Sequence, residues 1–184
     1  MIPLVFFSFI SPSFAGELAE LMKQAGTVLM MRHAYAPGVG DPPNFKLGDC
    51  STQRNLNQEG IEQAKKIGRW LTQQGVQSAD VYTSPWCRCI DTAFHLNKGT
   101  PQSLDAIAST FNEVDYAIPA KQNLIRWMVS KQQYLARSAT IMVTHQVNIL
   151  AYTGVNTSSG ELVLVKVDEL GQSKVLRTFN ASDL

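Results

Sequence analysis

Apolar residues along this chain follow two rhythms. Thr27-Val28-Leu29-Met30-Met31, Ala79-Asp80-Val81-Tyr82-Thr83 and Thr140-Ile141-Met142-Val143-Thr144 are short, mostly apolar runs with the length and β-branched content of strands. Elsewhere the spacing is helical. Ile61, Ala64, Ile67 and Leu71 mark one face of a helix that Asn57 can cap and Gly75 can stop. Residues 17–24 predict a short helix stopped by Gly26, and residues 88–97 and 147–152 predict two more. A further helix is expected over 123–136, with Leu124, Met128 and Leu135 facing the core. Residues 161–167 and 174–179 flank Asp168-Glu169-Leu170-Gly171 and read as an edge hairpin. Residues 35–55 and 110–119 have no period and read as loops. Strands alternating with helices predict an α/β fold: a three-layer α/β/α sandwich, its sheet mainly parallel with an antiparallel edge hairpin.

The residues that follow the strand-like runs are chemically distinctive. The first run ends in Arg32-His33, the second leads through Ser84-Pro85 to Arg88, and the third delivers His145. In an open parallel sheet, functional groups gather at the carboxyl ends of strands. Two histidines and two arginines would converge there. Arginine suits a phosphoryl group because its planar fork donates two aligned hydrogen bonds and keeps its charge. Loops as long as 35–55 inside compact domains are usually functional or disordered; this one begins and ends beside the expected pocket, which favours a functional role.

A chain of 184 residues suits one domain, and 45% hydrophobic with 17% charged residues is an ordinary globular profile. Net charge is +1, which argues against a nucleic-acid or anionic-membrane surface. Residues 1–15 carry no charge and close on Ser13-Phe14-Ala15, a small-x-small pattern of signal cleavage. The expectation is an export signal over 1–15, one domain over 16–184, and a periplasmic or secreted location. A buried amino-terminal helix or short anchor is the alternative, although the run is too short for a comfortable span, so no stable membrane insertion is expected. An oxidising compartment favours a disulfide, with Cys50 the long-range partner of Cys87 or Cys89; three reduced, buried thiols are the alternative. No second Cys or His pair stands at zinc-like spacing, so no metal is assigned. His95 reads as a surface or packing residue, Trp70 and Trp127 as core, and Trp86 as near enough to line the pocket.

Four ordered segments resemble motifs of the histidine phosphatase superfamily, branch 1. They are Leu29-Met30-Met31-Arg32-His33-Ala34, Arg54 through Ala64, Tyr82 through Ala93, and Val143-Thr144-His145-Gln146. The family's usual Arg-His-Gly is Arg-His-Ala here, similar to its small phosphohistidine phosphatases. The resemblance implies a phosphoglycerate mutase-like fold and a hydrolase of phosphoric monoesters of the histidine acid phosphatase type, with no cofactor. His33 would be the nucleophile, Arg32 and Arg88 the clamp, and His145 a donor to a phosphoryl oxygen, with Arg54 a further phosphate contact or a loop brace. Glu113, or failing it Asp115, would protonate the leaving group; a phosphohistidine substrate would not need this acid, imidazole being the better leaving group. The expected partner is a small phosphorylated substrate or phosphate. A non-catalytic phosphate-binding or regulatory module that keeps the fold is the alternative function. A mutase fits less well, since it needs extra segments to retain its intermediate.

Overall fold

A computed structural model describes residues 16–111, 114–135 and 138–184. The expected export signal over 1–15 and the candidate acid Glu113 lie outside the described residues. The elements in chain order are α1 (Glu17–Met22), β1 (Thr27–Arg32), α2 (Gln58–Gln73), β2 (Asp80–Thr83), α3 (Cys87–Leu96), β3 (Gln102–Ser103), α4 (Ala117–Leu135), β4 (Thr140–Thr144), α5 (Gln146–Thr153), β5 (Leu162–Val167) and β6 (Ser173–Phe179). The sheet order is β3-β2-β4-β1-β5-β6. From β3 to β1 all pairings are parallel; β5 and β6 continue the sheet antiparallel.

Burial explains the apolar runs. β1 and β4 sit inside the sheet with helices on both faces, so every residue of β4 and all but the last of β1 is buried. Leu29, Met31, Ile141 and Val143 pack on one face against Leu18 and Met22 of α1, Ile67 and Leu71 of α2 and Leu96 of α3. Val28, Met30 and Met142 pack on the other against Leu124 and Met128 of α4 and Ile149 and Tyr152 of α5. The result is three layers, and with side chains alternating between two cores the middle positions of both strands, 28–31 and 141–143, are all apolar. The side chain of Leu135, expected on the same face as Leu124 and Met128, is outside the described set.

Parallel register brings the functional ends level. Arg32 stands opposite Thr144, and Thr83 opposite Val143. The ladder continues one residue further on each side, with His33 N–H donating to Thr144 O and Ser84 N–H to Val143 O, each at 2.9 Å. Asn57 caps α2 by accepting from Gly60 N–H at 3.0 Å. At Gly60 a Cβ would lie 2.0 Å from Tyr35 O, so only glycine lets α2 press against the segment leaving His33.

One expectation needs correction, and one strand was missed. Residues 110–119 are not all loop: a short turn spans Val114–Tyr116 and α4 starts at Ala117, six residues earlier than the pattern suggests. Pro119 fits inside the helix because in the first helical turn its missing N–H has no intrahelical partner to lose. The strand β3 had no signal at all, because its two residues are exposed and lie at the sheet edge. The hairpin is present as β5–β6, with a bulge between Leu164 and Val165.

Candidate active site

His33 leaves β1 almost fully buried, 3% exposed. Its Nδ1–H donates to Ala34 O at 2.8 Å; a carbonyl can only accept, so the proton is on Nδ1 and Nε2 keeps its lone pair. Burial lowers its pKa to about 3, with the Arg88, Arg54 and Arg32 charges adding to the fall, while the bond to Ala34 opposes it. The imidazole is neutral at physiological pH. Ala34 is itself buried against α3, its N–H donating to Thr92 Oγ1 at 2.9 Å, in a place with no room for a large side chain.

His145 follows β4 and is also buried. Its Nε2 lies 2.8 Å from Ser84 Oγ and 3.5 Å from Cys89 Sγ, which turns Nδ1 towards Arg88 Nη2, also 3.5 Å away. Burial, then the Arg88 charge, holds its pKa well below the usual histidine value. The His33 and His145 rings meet edge to face with centroids 5.6 Å apart.

Three guanidiniums surround them. Arg88 enters from the first turn of α3, where Gln53 Oε1 accepts the Cys87 N–H at 3.0 Å. Arg32 is anchored by donating from Nη1 to Thr157 O at 2.6 Å. The Nε atoms of Arg32 and Arg88 are buried without a partner. Arg54 donates to Gly40 O at 2.7 Å and Ala36 O at 2.5 Å while lining the same cavity. Brace and phosphate contact, posed as alternatives from sequence, are compatible in one side chain.

The cavity measures about 150 Å³. Its cationic floor meets walls formed by Phe45, Trp86, Phe111, Val39 and Val147. Asp41 is the cavity residue that sequence reasoning missed. It accepts from Arg88 Nη1 at 2.8 Å, Arg54 N–H at 3.1 Å and Trp86 Nε1–H at 3.1 Å. Burial works against its carboxylate, but those hydrogen bonds outweigh it and hold the pKa below the usual range. The sequence signal available was weak: an acidic residue in a Gly-Asp-Pro turn of a long loop.

The other candidates scatter. Asp115 is exposed and does not line the cavity. His95 stacks edge-on against Phe94, away from the site. Cys50 pairs with Cys87, and Cys89 stays a buried thiol whose pKa burial pushes up to about 12. The disulfide ties the 35–55 loop to the residue preceding Arg88. Among the described residues, no group of three or more His, Cys, Asp or Glu side chains could hold a metal ion. No helix among them is long and apolar enough to cross a membrane.

Residues 28–127 match the family model described as histidine phosphatase superfamily (branch 1). No curated protein matches the chain in sequence. Among solved structures, the protein histidine phosphatase SixA complexed with tungstate superposes with a TM-score of 0.62 at 15% identity, over 85% of this chain and 98% of that one. Phosphoserine phosphatase from Entamoeba histolytica, complexed with 3-phosphoglyceric acid, gives 0.58 at 11% identity over 83% and 95%. YhfR of Bacillus stearothermophilus gives 0.58 at 15% identity over 82% and 95%. At such identities these likenesses speak for the fold.

Proposed function

The chain belongs to branch 1 of the histidine phosphatase superfamily and is a phosphatase, and on that premise we propose that it hydrolyses phosphomonoesters through a phosphohistidine on His33. The observation that carries this is the state of His33: a neutral imidazole whose Nε2 lone pair is free, inside a cavity ringed by arginines. Nε2 attacks phosphorus in line, the bond to the ester oxygen breaks, and the departing oxygen takes a proton. Water then attacks the phosphohistidine and releases inorganic phosphate, restoring Nε2.

Arg32 and Arg88 neutralise the equatorial oxygens through the first step and the second, with no metal ion required for that charge. With phosphate bound, the Ser84 hydroxyl donates to His145 Nε2, which puts the ring proton on Nδ1 and lets it donate to a phosphoryl oxygen. Glu113 remains the proposed proton donor to the leaving group; Asp115, exposed and outside the cavity lining, does not fill that role. The aromatic and aliphatic walls suit an uncharged leaving group, so an aryl phosphate is a fitting probe.

The test is hydrolysis of p-nitrophenyl phosphate in excess EDTA, with rapid quenching to trap the acid-labile phosphoenzyme. Turnover that survives chelation, with label on His33, is the expected outcome. Activity restored only by added metal, or undiminished in His33→Ala, refutes the mechanism.

Export over residues 1–15 is part of the same proposal, supported by the uncharged apolar run and by the Cys50–Cys87 disulfide. Mass spectrometry of the mature protein should find Gly16 at the amino terminus and the protein outside the cytoplasm; an intact Met1 on cytoplasmic protein refutes it.

A further inference from the structure

Arg88 is 3% exposed, so the N–H donors of its guanidinium need acceptors inside the protein. One edge has them. Nη1 donates to Asp41 Oδ1 at 2.8 Å and also faces Arg54 O at 3.4 Å. The other edge lacks a good acceptor: Nε is buried with no partner, and Nη2 has His145 Nδ1 at a long 3.5 Å. Nε and Nη2 form the side-on fork with which a guanidinium grips two oxygens of one phosphoryl group. The carboxylate has taken the edge that such a group does not need.

Asp41 is equally constrained. Oδ2 accepts from the Trp86 indole and Oδ1 from Arg54 N–H, while the Arg54 side chain clamps the neighbouring Gly40 carbonyl. The loop that carries it is joined by Cys50 to Cys87, the residue before Arg88. Charge points the same way. Arg32, Arg54 and Arg88 line the cavity against the one carboxylate of Asp41, and three less one leaves two formal positive charges, matching a phosphomonoester dianion.

We propose that Asp41 is a positioning residue for phosphoryl transfer: by holding the Nη1 edge of Arg88, it aims Nε and Nη2 at the phosphoryl oxygens. The inference rests on the phosphatase reading and adds the group that pre-organises its clamp. Asp41 neither donates the proton nor competes with substrate.

The experiment is a double-mutant cycle in the full chain, reading p-nitrophenyl phosphate kinetics and the Kd of inorganic phosphate by calorimetry. Asp41→Asn should weaken phosphate binding and lower kcat/KM by about tenfold to a hundredfold. In an Arg88→Ala background the same change should have almost no further effect. Asp41→Glu, which keeps the carboxylate, should recover part of the loss. Trp86→Phe, which removes the indole N–H but keeps the ring, should act in the same direction more weakly. If Asp41→Asn does not fold, the cycle of Trp86→Phe with Arg88→Ala carries the test. Phosphate binding that tightens or stays equal in Asp41→Asn would identify a competitor and overturn the proposal. A loss of the same size with and without Arg88 would identify a mere loop brace and also overturn it. Wild-type protein that binds phosphate without hydrolysing the ester would sink the phosphatase reading, leaving the Asp41–Arg88 coupling to be judged on binding alone.

Discussion

Two regions of this molecule are rich in cations, and one of them resembles an active site. At the carboxyl ends of β1, β2 and β4 stand Arg32, Arg54 and Arg88 with His33 and His145. Near the amino end of β2, where Lys98 O accepts from Ala79 N–H, a groove between α2 and α3 holds Lys65, Arg69, Lys98 and His95. The two are comparable in size, about 200 Å³ for the groove and about 150 Å³ for the cavity. What differs is how the charges are mounted. In the groove, Arg69 is solvated, Lys65 pairs with Glu62 at the surface, and the Lys98 ammonium is spent on the Thr72 hydroxyl. In the cavity, both imidazoles are desolvated and neutral, while backbone carbonyls or a buried carboxylate hold each guanidinium. A charge in water is already satisfied by its hydration shell, whereas one held dry beside an open edge still has a hydrogen bond to give. Cation count does not distinguish the candidate phosphate site; buried donors without a hydrogen-bond partner do.

The largest effect expected from this contrast is on catalysis. His33→Ala should lower hydrolysis of an aryl phosphate at least about a thousandfold, and His95→Ala should leave it unchanged. Steady-state assays of both variants decide it, and equal losses would erase the distinction between the regions.

Next comes the disulfide, which braces the cavity alone. Closing the chain between Cys50 and Cys87, 37 residues apart, stabilises the fold by about 4 kcal/mol in the chain-entropy model. Reduction should lower the melting temperature and raise KM, since Asp41 and Arg54 ride on the tethered loop. Calorimetry with and without reductant measures the first effect. Non-reduced mass spectrometry should find one bridge and free Cys89; three free thiols would refute it.

Arg88→Lys keeps the charge but loses the fork, and should cost about a hundredfold in kcat/KM. Arg69→Lys in the groove should cost nothing measurable. A harmless Arg88→Lys would mean that charge alone suffices.

A smaller effect concerns pH. Folded His33 has its pKa lowered to about 3, while in the unfolded chain histidine titrates near its ordinary 6.5. Between those values the unfolded chain binds a proton that the folded one refuses. Stability is therefore fully present above about pH 6.5 and falls as pH drops through the window, by up to about 1.4 kcal/mol per pH unit. His145 shifts in the same direction. Urea midpoints at pH 7.5 and 5 should show the loss, and His33→Gln should reduce it; a midpoint that rises towards pH 5 contradicts the buried neutral imidazole.

Smallest of all, Lys65→Ala and Arg69→Ala should each change stability by no more than about 0.5 kcal/mol, with unaltered kinetics. A clear defect in phosphate ester hydrolysis from either would show that the groove belongs to the working site.

Much of this was legible in the chain itself. The runs at Thr27–Arg32 and Thr140–Thr144 are nearly all apolar because both faces of the central strands are covered, and that composition is visible without coordinates. Arg32, His33 and His145 follow directly on those runs, so placing the strands placed the residues. Arg88 needed only the next short turn. The long loop was different. Asp41 and Asp49 look alike in sequence, yet Asp49 turns back on Ser51 two residues away while Asp41 reaches Arg88 across 47. No local period records such a return, because it depends on how the loop packs over a surface built from distant strands. The cysteines teach the same point. Cys87 and Cys89 are two residues apart, hence roughly 200° apart around a helix, so one must face the loop and the other the histidine. Local pattern determined that they differ; only the rotation of α3 on the sheet, set by Cys89, Ala93 and Leu96 packing into the core, decided which is which.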